Sequence, residues 1–294
     1  MKLGIIGGSG LYELEGLSDV REIVQDTPFG SPSDAYIHGR LAGTDIYFLP
    51  RHGRGHRILP SEINHRANIW GFKKLGVECI MSVSAVGSLR ESIRPRDIVL
   101  PVQYFDRTKG SLAHTFFGNG IVGHVSFGDP TCNDLRALLA TVAGKAVLDL
   151  KLDGAVRLHV GGTYVNMEGP AFSTRAESNV YRQLGFDIIG MTGLPEAKLC
   201  REAEICYQGM SMATDYDCWR LSEAEVSVEI IIATLQANTA LAKEIIRRVA
   251  AQLPQTRACR CQDALKYAIM TDLTKVPPAT LKALDPMLGK YLKA

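Results

Sequence analysis

Two acids and one basic run stand out in this sequence as residues whose types and spacing can do chemistry. Asp215 and Asp217 are spaced i, i+2 between Thr214 and Trp219, at the end of a run of mostly apolar and small residues from Ile205 to Ala213. Carboxylates are seldom buried without a partner. Two of them at the carboxyl end of a buried strand lie where open α/β sheets bind ligands. Such a pair accepts hydrogen bonds from an amine, hands a proton to a ring nitrogen or holds a metal. The plain alternative is an acidic loop that closes a strand.

Arg51-His52-Gly53-Arg54-Gly55-His56 follows a second strand-like stretch, Ile46 to Leu49. Arginine binds phosphate or carboxylate through paired N–H donors and stays charged at any physiological pH. His52 and His56 have i, i+4 spacing, but the run holds no acid and its glycines oppose a helix. Anion recognition is therefore the better reading than metal. Two small turns add further donors. Gly7-Gly8-Ser9-Gly10 ends the first strand, and its spacing fails the dinucleotide pattern because Glu13 occupies the third glycine position. Its amides and the Ser9 hydroxyl still suit a smaller anion. Ser84-Ala85-Val86-Gly87-Ser88 repeats the arrangement after the Glu78–Val83 stretch.

The remaining chain must position these groups. At 294 residues it has room for one large α/β domain or two small ones. A net charge of only +2 gives no reason to expect nucleic-acid or membrane binding, so any anion must be held locally. No apolar run approaches a membrane span and no secretory leader is legible, so a cytoplasmic location is expected. Helical spacing appears over Asn64–Leu75, Leu135–Leu150, Ala176–Leu184, Leu194–Ala203 and Val226–Leu253. Strands are expected at Lys2–Ile6, Ile46–Leu49, Glu78–Val83, Asp97–Pro101, Val156–Met167, Ile188–Thr192 and Ile205–Ala213. Gly110 to Gly128 reads as a long irregular loop. The alternation predicts an α/β fold, a single domain with a central mixed, twisted sheet flanked by helices, its site along the carboxyl edge. Residues 1–255 form the catalytic domain in this reading, and 256–294 an extension packed on it or on a neighbouring subunit.

Seven cysteines (Cys79, Cys132, Cys200, Cys206, Cys218, Cys259 and Cys261) are an odd number scattered over a large chain, which is not a secreted disulfide framework. Cys259 and Cys261 are too close for the usual zinc knuckle, and Cys200 with Cys206 offers no standard spacing. Free buried thiols and no metal are expected.

Taken in order, Gly7-Gly8-Ser9-Gly10, Arg51-His52-Gly53, Pro60 through Trp70, Ala85 through Leu89, Glu168-Gly169-Pro170, Met191-Thr192 with Pro195-Glu196, and Ala213 through Trp219 resemble the trimeric purine nucleoside phosphorylases. The resemblance covers roughly residues 2–250. It implies phosphorolysis of a purine nucleoside, most closely a 5′-methylthio nucleoside of adenine, with inorganic phosphate as co-substrate and no cofactor. Phosphate would be held by Ser9, Arg51, His52, Ser84, Ala85 and Thr192, and the sugar by Met191. The base would lie against Asp215 at N7 as proton donor and Asp217 at the exocyclic amine, with Phe172 and Ser173 lining its pocket. Val228, Ile231 and Ile232 would surround the 5′ end, together with His124 supplied across the interface of a homotrimer or homohexamer. Gly190 and Gly193 depart from the adenosine-type pattern toward that of methylthioinosine enzymes, and Ala171 replaces a frequent arginine. Methylthioinosine, adenosine, inosine or guanosine are therefore the alternative substrates. Outside the phosphorylases, a hydrolytic nucleosidase would not need Arg51-His52, and a nucleotide-binding protein would not need a desolvated acid pair. Bridges among Cys132, Cys200, Cys206 and the tail are a further implication of the resemblance.

Overall fold

The computed structural model describes residues 1–8, 11, 14–109, 114–220 and 228–292; the side chains of 228–233 and 235 lie outside the description. Among the described residues, eleven strands form one mixed sheet with helices on both faces. Its axis is β5 (Cys79–Ser88), which runs parallel to β11 (Cys206–Asp215) along nearly its whole length. On the other side of β5 lies β1 (Leu3–Gly7), whose five residues are all buried. Beyond β1 come β4 (Thr44–Pro50), β3 (Tyr36–Leu41) and β2 (Ser18–Ile23). Past the upper end of β5 the order continues through β10 (Ile188–Gly190) and β9 (Thr163–Met167) to β7 (Gln103–Arg107). The antiparallel pair of β11 and β6 (Ile98–Leu100) carries β8 (Leu158–Val160) at its edge.

One face is covered by α2 (Asn133–Asp149) and the single long helix α5 (Val228–Gln252), whose Leu241, Ile245, Ile246 and Val249 pack on Leu3, Met81 and Met210. The other face carries α1 (His65–Lys74) and α4 (Gly193–Glu202). Local signals set the helix ends: Asn64 caps α1 by accepting from the Ala67 amide, and Thr174 with Glu177 forms a capping box that opens α3 (Arg175–Gln183). The chain after residue 255 folds back onto the same body. There α6 (Pro278–Ala283) accepts a hydrogen bond from Trp70 Nε1 at the Ala283 carbonyl, and Lys290 on α7 (Asp285–Leu292) pairs with buried Glu204 at 2.7 Å.

Three strands escape the sequence reading. β2, β3 and β7 lack a clean apolar run, and the exposed β2 and β7 lie at the two ends of the sheet path, each paired with a single neighbouring strand. Two boundaries also change. The stretch Val156–Met167 is two strands, because Gly161 and Gly162 both have positive φ and break it, sending β8 to β6 and β9 to β10. The strand expected to end at Val83 runs on to Ser88, so Ser84 to Ser88 is strand and not a turn.

Candidate active site

The site arises from a fork in the sheet. β1 pairs with β5 only as far as Ser82, and β10 takes the same side of β5 only from Gly87. Val83 to Val86 are thus left without a ladder partner on that side among the described residues, while β11 covers the other. Unpaired strand backbone is a ready set of hydrogen-bonding groups. A cavity of about 410 Å³ opens at this gap, and Val83, Ser84, Ala85 and Val86 line it.

Arg51 enters from the end of β4, anchored where its amide donates to the Gly7 carbonyl. Its side chain is almost wholly buried and fixed by four bonds: Nε to Glu196 Oε1 at 2.6 Å, Nη2 to Ser82 Oγ at 2.7 Å and to Glu196 Oε2 at 3.5 Å, and Nη1 to the Val83 carbonyl at 3.1 Å. Burial favours the acid form of Glu196, but Arg51, His65 and the Ser82 hydroxyl more than offset this and hold it below the usual carboxylate range. The ion pair balances its own charge, so the guanidinium serves the cavity as a fixed fork with one Nη1 N–H to spare. A second positive feature is the N-terminus of α4. Thr192 is its N-cap, lines the cavity and makes no side-chain capping bond, at a helix end whose dipole favours an anion.

His52 lines the same end. Its Nδ1 lies 2.8 Å from the Ile58 carbonyl, which only accepts, so the proton sits on Nδ1 and Nε2 is left as an acceptor. Burial, reinforced by the charge on Arg51, lowers its pKa to about 4, and the ring is neutral at pH 7. It stacks on His56, another lining residue, with ring centroids 4.3 Å apart.

The acid pair stands at the other end of the unpaired stretch. A register shift between Ala213 and Asp215 places Asp215 beside Gly87, two or three residues past Ser84 and Ala85, which at strand spacing is roughly 7–10 Å. Asp215 Oδ1 accepts from the Asp217 amide at 2.7 Å, closing a tight Asx turn, and the Thr214 hydroxyl is 2.7 Å from Oδ2. Asp217 takes a left-handed φ of 53°, a region aspartate tolerates better than most residues. Its Oδ2 is buried with no hydrogen-bond partner among the described residues. Burial, together with the neighbouring Asp215 carboxylate, raises its pKa to about 6 against a bonding influence from Ser178. Trp219 braces this loop: its Nε1 donates to the Ser88 carbonyl, Tyr216 meets it edge-on and Arg182 covers its ring at 3.5 Å.

Arg51, His52, Ser84, Ala85, Phe172, Met191, Thr192, Asp215 and Asp217 therefore converge on one cavity. Two expected residues do not line it in their own chain. Ser173 turns behind the wall, its hydroxyl against the sulfur of lining residue Met167, and His124 sits with its amide bonded to the Ala268 carbonyl. Ser9 lies outside the described residues, as do the side chains of Val228, Ile231 and Ile232 on the first turns of α5. The sequence reading quoted Glu196 only as part of the Pro195-Glu196 motif and gave it no role, although an acid among the apolar residues of α4 is a signal for a buried partner. Gly190 finds its explanation here, since a Cβ on it would overlap the Tyr164 hydroxyl.

Residues 2–251 match the family model described as the phosphorylase superfamily. The chain is 57% identical to the S-methyl-5′-thioadenosine phosphorylase of Geobacter sulfurreducens over 290 residues, 99% of each chain. It is 54% identical to the protein of that name from Thermosynechococcus vestitus, again over 99% of both. Among solved structures, a methylthioadenosine phosphorylase from an antarctic soil metagenomic library superposes with a TM-score of 0.89 at 43% identity, covering 98% of each chain. The methylthioadenosine phosphorylase of Schistosoma mansoni in complex with adenine gives a TM-score of 0.79 at 33% identity, over 90% of this chain and 96% of that one.

Proposed function

This chain belongs to the phosphorylase superfamily, and from that premise we propose that it cleaves S-methyl-5′-thioadenosine with inorganic phosphate. The products are adenine and 5-methylthioribose 1-phosphate. The observation that carries the reading is the single cavity at the fork of β5, with an anion-binding end and a carboxylate pair separated by about the length of a ribose.

Phosphate sits against Arg51, the Thr192 hydroxyl, Ser84 and the open backbone at Ala85, with Ser9 as the donor from the first turn. With Nδ1–H given to Ile58, neutral His52 accepts a hydrogen bond from a phosphate hydroxyl at Nε2 and does not donate one. A phosphate oxygen attacks C1′ while the C1′–N9 bond breaks and its electron pair moves into the purine. Met191 packs on the sugar, and α5 supplies Val228, Ile231 and Ile232 around the methylthio group. The departing base needs a proton at N7. Two carboxylates tied in one tight turn disfavour each other's ionised form, which keeps a proton within reach of the turn. Asp215 delivers it to N7. Asp217 faces the exocyclic amine, which gives its unpartnered Oδ2 a donor. A 6-oxo group would bring a second acceptor there.

No resident cofactor or catalytic metal takes part in this scheme. No helix of the described residues is long and apolar enough to cross a membrane, and a cytoplasmic enzyme belongs to the same proposal, supported by seven unbridged cysteines. We also propose a homotrimer or homohexamer in which His124 serves a neighbour's site. Its position away from its own cavity supports this, as does the exposed Phe105 on edge strand β7.

Methylthioadenosine, methylthioinosine, adenosine and inosine, each at saturating phosphate, separate the base and 5′ assignments. Methylthioadenosine should show the highest kcat/KM. A preference for methylthioinosine would overturn the role given to Asp217.

A further inference from the structure

Four of the seven cysteines converge at the end of the sheet away from the cavity. The sulfurs of Cys132, Cys206, Cys259 and Cys261 all lie within 4.8 Å of one another, and no disulfide joins any of them. We propose that these four thiols form a structural zinc site that fastens the chain after residue 255 to the sheet.

The ligands come from three separately fixed pieces of backbone. Cys132 is the N-cap of the 17-residue helix α2, and its amide donates to the Tyr207 carbonyl of β11. Cys206 opens β11, its amide bonded to the Glu78 carbonyl. Cys259 is the N-cap of the short helical turn at Arg260–Asp263, and Cys261 lies within it. Cys206 and Cys259 approach to 3.2 Å. A tetrahedral ion with Zn–S bonds of about 2.3 Å places its four sulfurs roughly 3.8 Å apart, a size this cluster accommodates. The set holds no imidazole and no carboxylate, and soft thiolates in a closed four-coordinate arrangement select zinc over harder ions.

Binding releases four thiol protons and leaves a complex of net charge −2. Two features offset that charge: Arg257, which lies against Cys206 and Cys259, and the positive end of α2 at Cys132. Cys206 and Asp215 are nine residues apart along one strand, about 30 Å, so the ion is remote from the chemistry.

The test is metal and thiol analysis of the untagged chain, purified under reducing conditions from zinc-supplemented cells. One zinc per chain is expected, with all seven thiols titrating after denaturation in chelator. Cobalt exchanged into the site should give the intense sulfur-to-metal absorption of a tetrahedral thiolate complex. Cys261→Ser should lose the ion, whereas Cys200→Ser and Cys218→Ser keep it. Removing the metal should lower the thermal midpoint and leave kcat/KM for nucleoside cleavage at low temperature unchanged. Where Cys261→Ser does not fold, the more exposed Cys259→Ser and the wild-type metal count carry the test. A folded, fully reduced protein that takes up neither zinc nor cobalt would overturn the proposal. So would fewer than seven titratable thiols, caused by bridges among these four.

Discussion

Asp215→Asn is expected to lower kcat/KM for methylthioadenosine by about 10²–10⁴-fold, the range for losing a positioned general acid. The fold should tolerate the change. An asparagine carbonyl can still accept from the Asp217 amide, and the Thr214 hydroxyl can rotate to accept from the new amide group. Thermal unfolding should therefore move by no more than about 1 kcal/mol. A second substrate distinguishes proton donation from mere positioning. A nitrophenyl glycoside of the same sugar leaves as a stabilised anion, so its cleavage should fall less than about tenfold in the variant. Equal losses with both substrates would assign Asp215 a structural role.

Asp217→Asn should separate stability from function. The carboxyl has a pKa raised from its ordinary 3.8 to about 6, so at neutral pH the fold holds an ionised group that burial disfavours. Below the ordinary pKa the side chain is neutral whether the chain is folded or not, and the stabilising contribution of the acid form is complete. That contribution is lost as pH rises through about 6. The variant should consequently unfold at nearly the wild-type temperature at pH 4 and several degrees higher at pH 7.5. The difference corresponds to about 2–3 kcal/mol. Over the same substitution, the preference for 6-amino over 6-oxo purines should shrink by roughly 10³-fold, because an acceptor is replaced by a group that can also donate. Scanning calorimetry at the two pH values and the paired nucleoside assay check the two halves separately.

Local pattern carried much of this into the sequence reading, and its failures share one cause. The β11 run ending in two acids was legible because nine buried, mostly small and apolar residues precede them. The helices were legible from spacing and caps. The fork was not. Nothing near Val83 says that β1 stops at Ser82 and that β10, a hundred residues later, starts at Gly87. Ser84 to Ser88 therefore read as a turn, although Ser84 and Ala85, two of the six residues expected at phosphate, are on the stretch the gap exposes. Glu196 was quoted within a motif but given no role, because its partner Arg51 is 145 residues away. The thiol cluster came only through the resemblance, as bridges among Cys132, Cys200, Cys206 and the tail, and not from spacing. Cys259-x-Cys261 is uninformative until α2 and β11 bring Cys132 and Cys206 to it.

The central claim is that phosphate, and not water, takes the ribosyl group at the fork of β5. Phosphorus NMR of methylthioadenosine incubated with the protein and phosphate, with adenine followed in parallel, tests it directly. One phosphate should disappear for each adenine released, with a sugar 1-phosphate signal growing in step and no adenine formed when phosphate is left out. Adenine accumulating while the phosphate signal stays constant would contradict the account.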